Sequence, residues 1–171
     1  VVYGENVTVE VTGSVDGDYT VTVNGVTKDV ALVAGEASSV NFGVLDVDTY
    51  AITANYAETG KYNAAVNDTE SVVVSKATPS FTVENIAVNV TESAYIIPRN
   101  IVAEGNYSFS YLSLDESIVT VVNSIGGAIV TGVSEGVANV TVSLPASKNY
   151  FALSKNVTVT VSQIPTSINV E

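Results

Sequence analysis

The segment VSKATPSFTVE, which begins at Val74, returns as VSQIPTSINVE, which begins at Val161. Ser75, Ser80, Val83 and Glu84 reappear as Ser162, Ser167, Val170 and Glu171, each displaced by 87 positions. A boundary that recurs at a fixed distance means that the chain is assembled from serial units. It predicts a first unit over 1–78, a second over 79–164 and the start of a next repeat over 165–171. The chain then reads as an excerpt from a tandem array. Units of about 80 residues can each bury a modest core but sit near the lower limit of independent stability.

Within each unit the local pattern is that of strands. Asn6–Thr12 alternates strictly, with Val7, Val9 and Val11 on one face. Asn24-Gly25 lies between the alternating runs Tyr19–Val23 and Val26–Val33, and both residues tolerate the positive φ of a type I′ hairpin turn. A strand over Ser39–Phe42, one over Tyr50–Tyr56, a loop over Glu58–Asn67 and a strand over Glu70–Ser75 complete the first unit. The second is expected to hold two short pieces over Phe81–Val90 and an apolar stretch, Tyr95–Val102, broken by Pro98. Strands follow over Tyr107–Leu112, Ile118–Val122, Ala128–Val130, Val137–Leu144 and Asn156–Ser162, with a hairpin at Gly126-Gly127. Val and Thr, stiff at χ1, favour the pleated surface. The fold class predicted is all-β: two tandem immunoglobulin-like β-sandwiches without disulfides.

Two stretches carry a resemblance to known families. Asp46-x-Asp48-x-Tyr50-x-Ile52 resembles the immunoglobulin pattern Asp-x-Gly-x-Tyr-x-Cys, with Ile52 in place of the cysteine. The resemblance implies that Tyr50 is a tyrosine-corner residue, its hydroxyl bonded to upstream backbone. Ser113-x-Asp115-x-Ser117-Ile118-Val119, followed by Gly127-x-Ile129-Val130-Thr131-Gly132 and Gly136-x-Ala138-x-Val140, resembles the bacterial Ig-like domain of group 2. The first unit, opening VVYGENVTVEV, is similar to a related Ig-like repeat. Together they resemble the repeats of archaeal or bacterial adhesin-like surface proteins. That implies a non-catalytic stalk segment of an extracellular, cell-surface or cell-wall-associated protein, whose partners are neighbouring Ig-like repeats of the same parent chain. The alternatives are a module that binds a surface glycan or a host protein, and a component of a cell-envelope lattice. The short linker Lys76–Ser80, with Pro79, is expected to limit bending between units.

Composition removes several function classes. The net charge is −12, from 18 acids against six bases, divided as −8 over residues 1–78 and −4 over residues 79–171. A phosphate-binding surface needs clustered Lys and Arg, so nucleic acid is not expected as a partner. No apolar run approaches the roughly 18 residues of a membrane span, so no direct membrane insertion is expected. The absence of Cys and His removes disulfides, thiolate nucleophiles and the commonest general base. Serine-triad chemistry lacks its histidine, and no glycine loop cradles phosphate. No catalytic residue and no cofactor are assigned, and the chain is not expected to be an enzyme.

Two sets of residues remain as candidate sites. Sequons occur at Asn6, Asn67, Asn89, Asn106, Asn139 and Asn156, which makes these asparagines glycosylation candidates. With 15 Asn and 36 Ser plus Thr in 171 residues, chance gives roughly three such triplets. An outward Asn and Thr flanking an inward Val also generates Asn-Val-Thr automatically in a strand, and four of the six have that sequence. The pairs Asp16/Asp18 and Asp46/Asp48 are candidates to supply calcium oxygen ligands, although turns favour Asp in any case. Tyr50, Tyr56 and Tyr107 are expected in the core, whereas Tyr3, Tyr62 and Tyr150 are expected in loops or at ends.

Overall fold

The computed structural model describes residues 1–170 and divides into two compact units, Val1–Ala77 and Thr78–Glu171. Glu171, the last residue of the echoed boundary, lies outside the described residues. Every regular element among the described residues is a strand, and no helix is long and apolar enough to cross a membrane. Each unit is an all-β sandwich whose sheets pack around its own core, as predicted.

Unit 1 contains β1 (Val7–Thr12), β2 (Gly17–Val23), β3 (Val26–Leu32), β4 (Ala37–Gly43), β5 (Asp48–Tyr56) and β6 (Ala65–Val74). β1 and β4 pair antiparallel as a small sheet, and the other four form an antiparallel sheet in the order β3-β2-β5-β6. Alternation alone sets β1: Val7, Val9 and Val11 are buried, while Thr8, Glu10 and Thr12 are exposed. At the β2–β3 turn Asn24 and Gly25 both adopt positive φ, 52° and 72°, and that twist suits the strands they join. Val9, Val11 and Val40 of one sheet meet Tyr19, Val21, Val23, Leu32 and Tyr56 of the other. Tyr19 and Tyr56 are cross-strand partners with ring centroids 4.8 Å apart.

Unit 2 contains β7 (Ser80–Thr82), β8 (Ile86–Asn89), β9 (Ser93–Ile96), β10 (Arg99–Val102), β11 (Ser110–Ser113), β12 (Val119–Ser124), β13 (Gly127–Gly132), β14 (Gly136–Leu144) and β15 (Leu153–Ser162). Its main sheet runs β11-β14-β15-β8, faced by β12-β13-β9, with β7 paired to β10. β8 lies parallel to β15, and every other pairing in this unit's strand ladders is antiparallel. Val140, Val142, Val157 and Val159 of the main sheet close on Ile96, Val119 and Val130. Phe81 of β7 and Val88 of β8 enter the same core.

Three local expectations change. β6 begins at Ala65, inside the expected loop, because its ladder to β5 continues through Asn55↔Val66 to Tyr56↔Ala65. Residues 65–71 of β6 are exposed on both faces, so no alternation betrayed the strand. Tyr107 is 43% exposed and precedes β11 instead of entering the core. The β12–β13 turn is Ile125-Gly126, and Gly127 already belongs to β13. A Cβ on Gly127 would stand 2.3 Å from the Ile96 carbonyl oxygen, so this glycine permits the close approach of β9.

Candidate functional site

The echoed boundary folds into the same closure twice. In unit 1 a parallel bridge joins Val2 to Ser75, and the Tyr3 amide donates to the Ser75 carbonyl at 2.9 Å. In unit 2 the β8–β15 ladder ends on Asn89↔Ser162, and the Val90 amide donates to the Ser162 carbonyl at 2.9 Å. A tight turn follows each bridge. Glu5 N–H donates to the Val2 carbonyl at 3.1 Å, and its Oε2 accepts from the Val2 amide at 3.0 Å. Glu92 N–H donates to the Asn89 carbonyl at 3.0 Å, and its Oε2 accepts from the Asn89 amide at 3.4 Å. Gly4 (φ 98°) and Thr91 (φ 71°) hold corresponding left-handed positions. Glu5 and Glu92, like Val2 and Asn89, stand 87 positions apart (92 − 5 and 89 − 2). Sequence reading found Ser75 and Ser162 but missed these two glutamates. Carrying the comparison past Val90 at the same offset exposes them.

The sequon asparagines fall into two groups. Asn139 on β14 and Asn156 on β15 are brought together by register: Asn139 faces Thr158, and Thr141 faces Asn156. Each asparagine Oδ1 accepts from the threonine hydroxyl of the other sequon, at 3.1 and 3.0 Å. The two sequons thus interlock on the outer face of the main sheet while Val140 and Val157 point into the core. The remaining four stay apart. Asn6, Asn67 and Asn106 are exposed, and Asn67 Oδ1 accepts from both the amide and the hydroxyl of Thr69. Asn89 is half-buried, and its side-chain nitrogen donates to Glu92 at 3.0 Å.

Two of the four aspartates accept hydrogen bonds from backbone amides. Asp16 Oδ1 accepts from the Ala34 amide at 2.7 Å and Asp48 Oδ1 from the Thr49 amide at 2.8 Å. Asp18 is exposed on β2, and Asp46 is exposed just before β5. Among the described residues no three acidic side chains converge in a metal-binding group. The Tyr50 hydroxyl donates to the Asp46 carbonyl at 2.9 Å, and the Tyr19 hydroxyl donates in the same way to Val15 at 3.1 Å. Burial pushes the Tyr111 phenol above its ordinary value, so it stays neutral through and beyond neutral pH.

Two surface grooves stand out. In unit 1 an open groove separates β1 from β6. One part, of 530 Å³, is lined by Thr8, Glu10, Ile52, Glu70 and Val72. It continues past Val11 and Ala54 into a second part of 350 Å³ that reaches Tyr56 and Tyr62. In unit 2 a groove of 340 Å³ is lined by Pro98, Ile101, Phe109 and Tyr111, with the exposed Tyr107 beside them. Tyr107 packs edge-on against Phe109, centroids 5.7 Å apart.

No protein-family model matches the chain. No curated protein matches it either. Among solved structures the chain is similar to domains 4 and 5 of the S-layer protein SbsC, at 18% identity and a TM-score of 0.37, over 84% of this chain and 76% of that one. A chimeric titin Z1Z2-Z1Z2 tandem is similar at 14% identity and a TM-score of 0.38, over 94% of this chain and 93% of that one. The fibronectin(III)-like modules of Clostridium thermocellum CbhA are similar at 13% identity and a TM-score of 0.38, over 99% and 93%.

Proposed function

We propose that this chain is a non-catalytic structural segment of an extracellular, cell-surface adhesin-like protein, a pair of modules in a stalk. The observation that carries this reading is the duplicated closure. Two units that differ inside share the same bridge, the same carbonyl acceptor and the same glutamate-clamped turn at one fixed offset. Selection for a repeated joint suits a chain whose task is serial extension, since each module then begins and ends in the same way. The acidic surface suits that task too, by keeping long rods apart and soluble. The test is made on intact cells of the source organism. Antibody raised against the chain should label them, and added protease should strip the label. Label that appears only after lysis overturns the reading.

A second reading, a module that binds glycan, is favoured by one observation: the partly exposed Tyr107 ring beside the groove of Pro98, Ile101, Phe109 and Tyr111. Aromatic faces of this kind stack on sugars. Binding on a glycan array that is lost in Tyr107→Ala would establish it. No binding by the parent chain would remove it.

A further inference from the structure

The three-stranded sheet of unit 2 turns an unusual face to the solvent. Ala128 and Val130 of β13 are fully buried, so Ile129 between them points outward. Register places Val122 of β12 on one side of Ile129 and Tyr95 of β9 on the other. The three side chains make one apolar row across the sheet, with Val122 65% and Tyr95 62% exposed. A neighbouring row, Thr120–Thr131–Ser93, carries hydroxyls, and those of Ser93 and Thr131 bond to each other at 2.7 Å. On the other side of the apolar row stands the exposed Ile97, just past β9. Residues 93–97, 120–124 and 127–131 include no Asp, Glu, Lys or Arg, in a chain whose net charge is −12.

The outer face of the main sheet differs. There Leu112 pairs with Thr141 and Val137 with Thr160, so each exposed apolar side chain stands singly among polar ones. Single exposed apolar residues are ordinary on a protein surface. A contiguous row on a face without charge is not.

We propose that the Val122–Ile129–Tyr95 face is a self-association surface, and that its occupant is the same face of a second copy of this chain. Charge favours that occupant. Two chains of net charge −12 repel where their carboxylates approach, and this face lets them meet without burying a charge. A basic partner would be steered to the carboxylates elsewhere and would gain nothing from a neutral face. Shape favours it too. Sheets pack face to face with their strands nearly aligned, about 10 Å apart. A two-fold axis lying between the two sheets, along β13, sets Ile129 on Ile129. It also sets Val122 of each copy against the larger Tyr95 of the other. Such a contact is isologous and closes at the dimer. Three strands by five residues span only about 14 by 17 Å. That is small beside the roughly 800 Å² that a standard interface takes from each partner, so the dimer is a weak one.

The test is sedimentation equilibrium of the full chain from about 10 μM to about 1 mM, the range in which a contact of this size assembles. A monomer–dimer equilibrium without larger species is expected. Added salt should strengthen it, by screening the repulsion between two acidic chains. Val122→Glu and Tyr95→Glu each place an unpaired carboxylate in the contact and should raise the dissociation constant at least about tenfold. Both positions are exposed, so the urea midpoints of these variants should match those of the parent chain. Val137→Glu adds the same charge to the other sheet and should leave the dimer intact. A full chain that stays monomeric at every concentration overturns the proposal and leaves the face to a different partner. Dimers that persist undiminished in Val122→Glu and Tyr95→Glu overturn it as well. So do dimers that Val137→Glu disrupts equally, or that weaken as salt is added.

Discussion

Thr91 occupies a left-handed backbone position that its counterpart in unit 1 fills with Gly4. A β-branched residue there is strained, since Cβ crowds the carbonyl of its own peptide. Thr91→Gly relieves that strain, and urea denaturation should show unit 2 stabilised by about 1 kcal/mol, less the extra entropy glycine has when unfolded. The turn tolerates threonine because the flanking bonds over-determine it: Thr91 N–H donates to the Gly132 carbonyl at 2.8 Å, and the Glu92 carboxylate holds Asn89. Tyr50 poses the opposite case, in which one hydroxyl carries a single bond to the Asp46 carbonyl across the entry to β5. Tyr50→Phe keeps the ring and removes that bond. Loss of about 1 kcal/mol from unit 1 is expected by the same measurement, with unit 2 unchanged. An unaltered unit 1 midpoint would mean that solvent replaces the bond without cost.

At the scale of elements, strands were legible wherever one face is buried and the other solvated. β1 and the β2–β3 hairpin follow directly from alternation and from Asn-Gly. Legibility failed where pairing, not burial, makes the strand. Residues 65–71 of β6 are exposed throughout, so β5 holds them by main-chain bonds that leave no mark in the pattern of side chains. The candidate sites divide in the same way. Exposed sequons were visible as triplets, whereas the mutual bonds of Asn139 with Thr158 and of Asn156 with Thr141 depend on register, which no single strand encodes. Gly127 shows a third kind of hidden information. It was read as a turn residue, yet its role is to let the Ile96 carbonyl approach. Gly127→Ala places a methyl group against immovable backbone, and β9 and β13 must separate. Unit 2 should lose about 1–3 kcal/mol in urea denaturation, far more than the same substitution would cost at an open strand position. Retention of full stability would show that the sheet gives way easily there.

For the whole molecule, the two units own separate cores of unequal size. Among the described residues the unit 2 cluster holds twelve buried side chains and the unit 1 cluster eight, and the twelve include Phe81 of β7 and Val88 of β8. Each such side chain contributes roughly 1.5–3 kcal/mol when fully buried. Unit 1 also leaves a groove open beside Val9 and Val11, where its interior meets water on one side. Denaturation should therefore occur in two steps, with unit 1 unfolding at the lower urea concentration. Hydrogen exchange identifies the steps: the amides of β2 and β5 should lose protection before those of β14 and β15. Val140→Ala supplies the control, because Val140 is fully buried in unit 2. It should move the second step down by about 2 kcal/mol and leave the first in place, because residues couple energetically only when they share a packing network. A single cooperative transition that Val140→Ala shifts as a whole would mean that the two sandwiches stand or fall together.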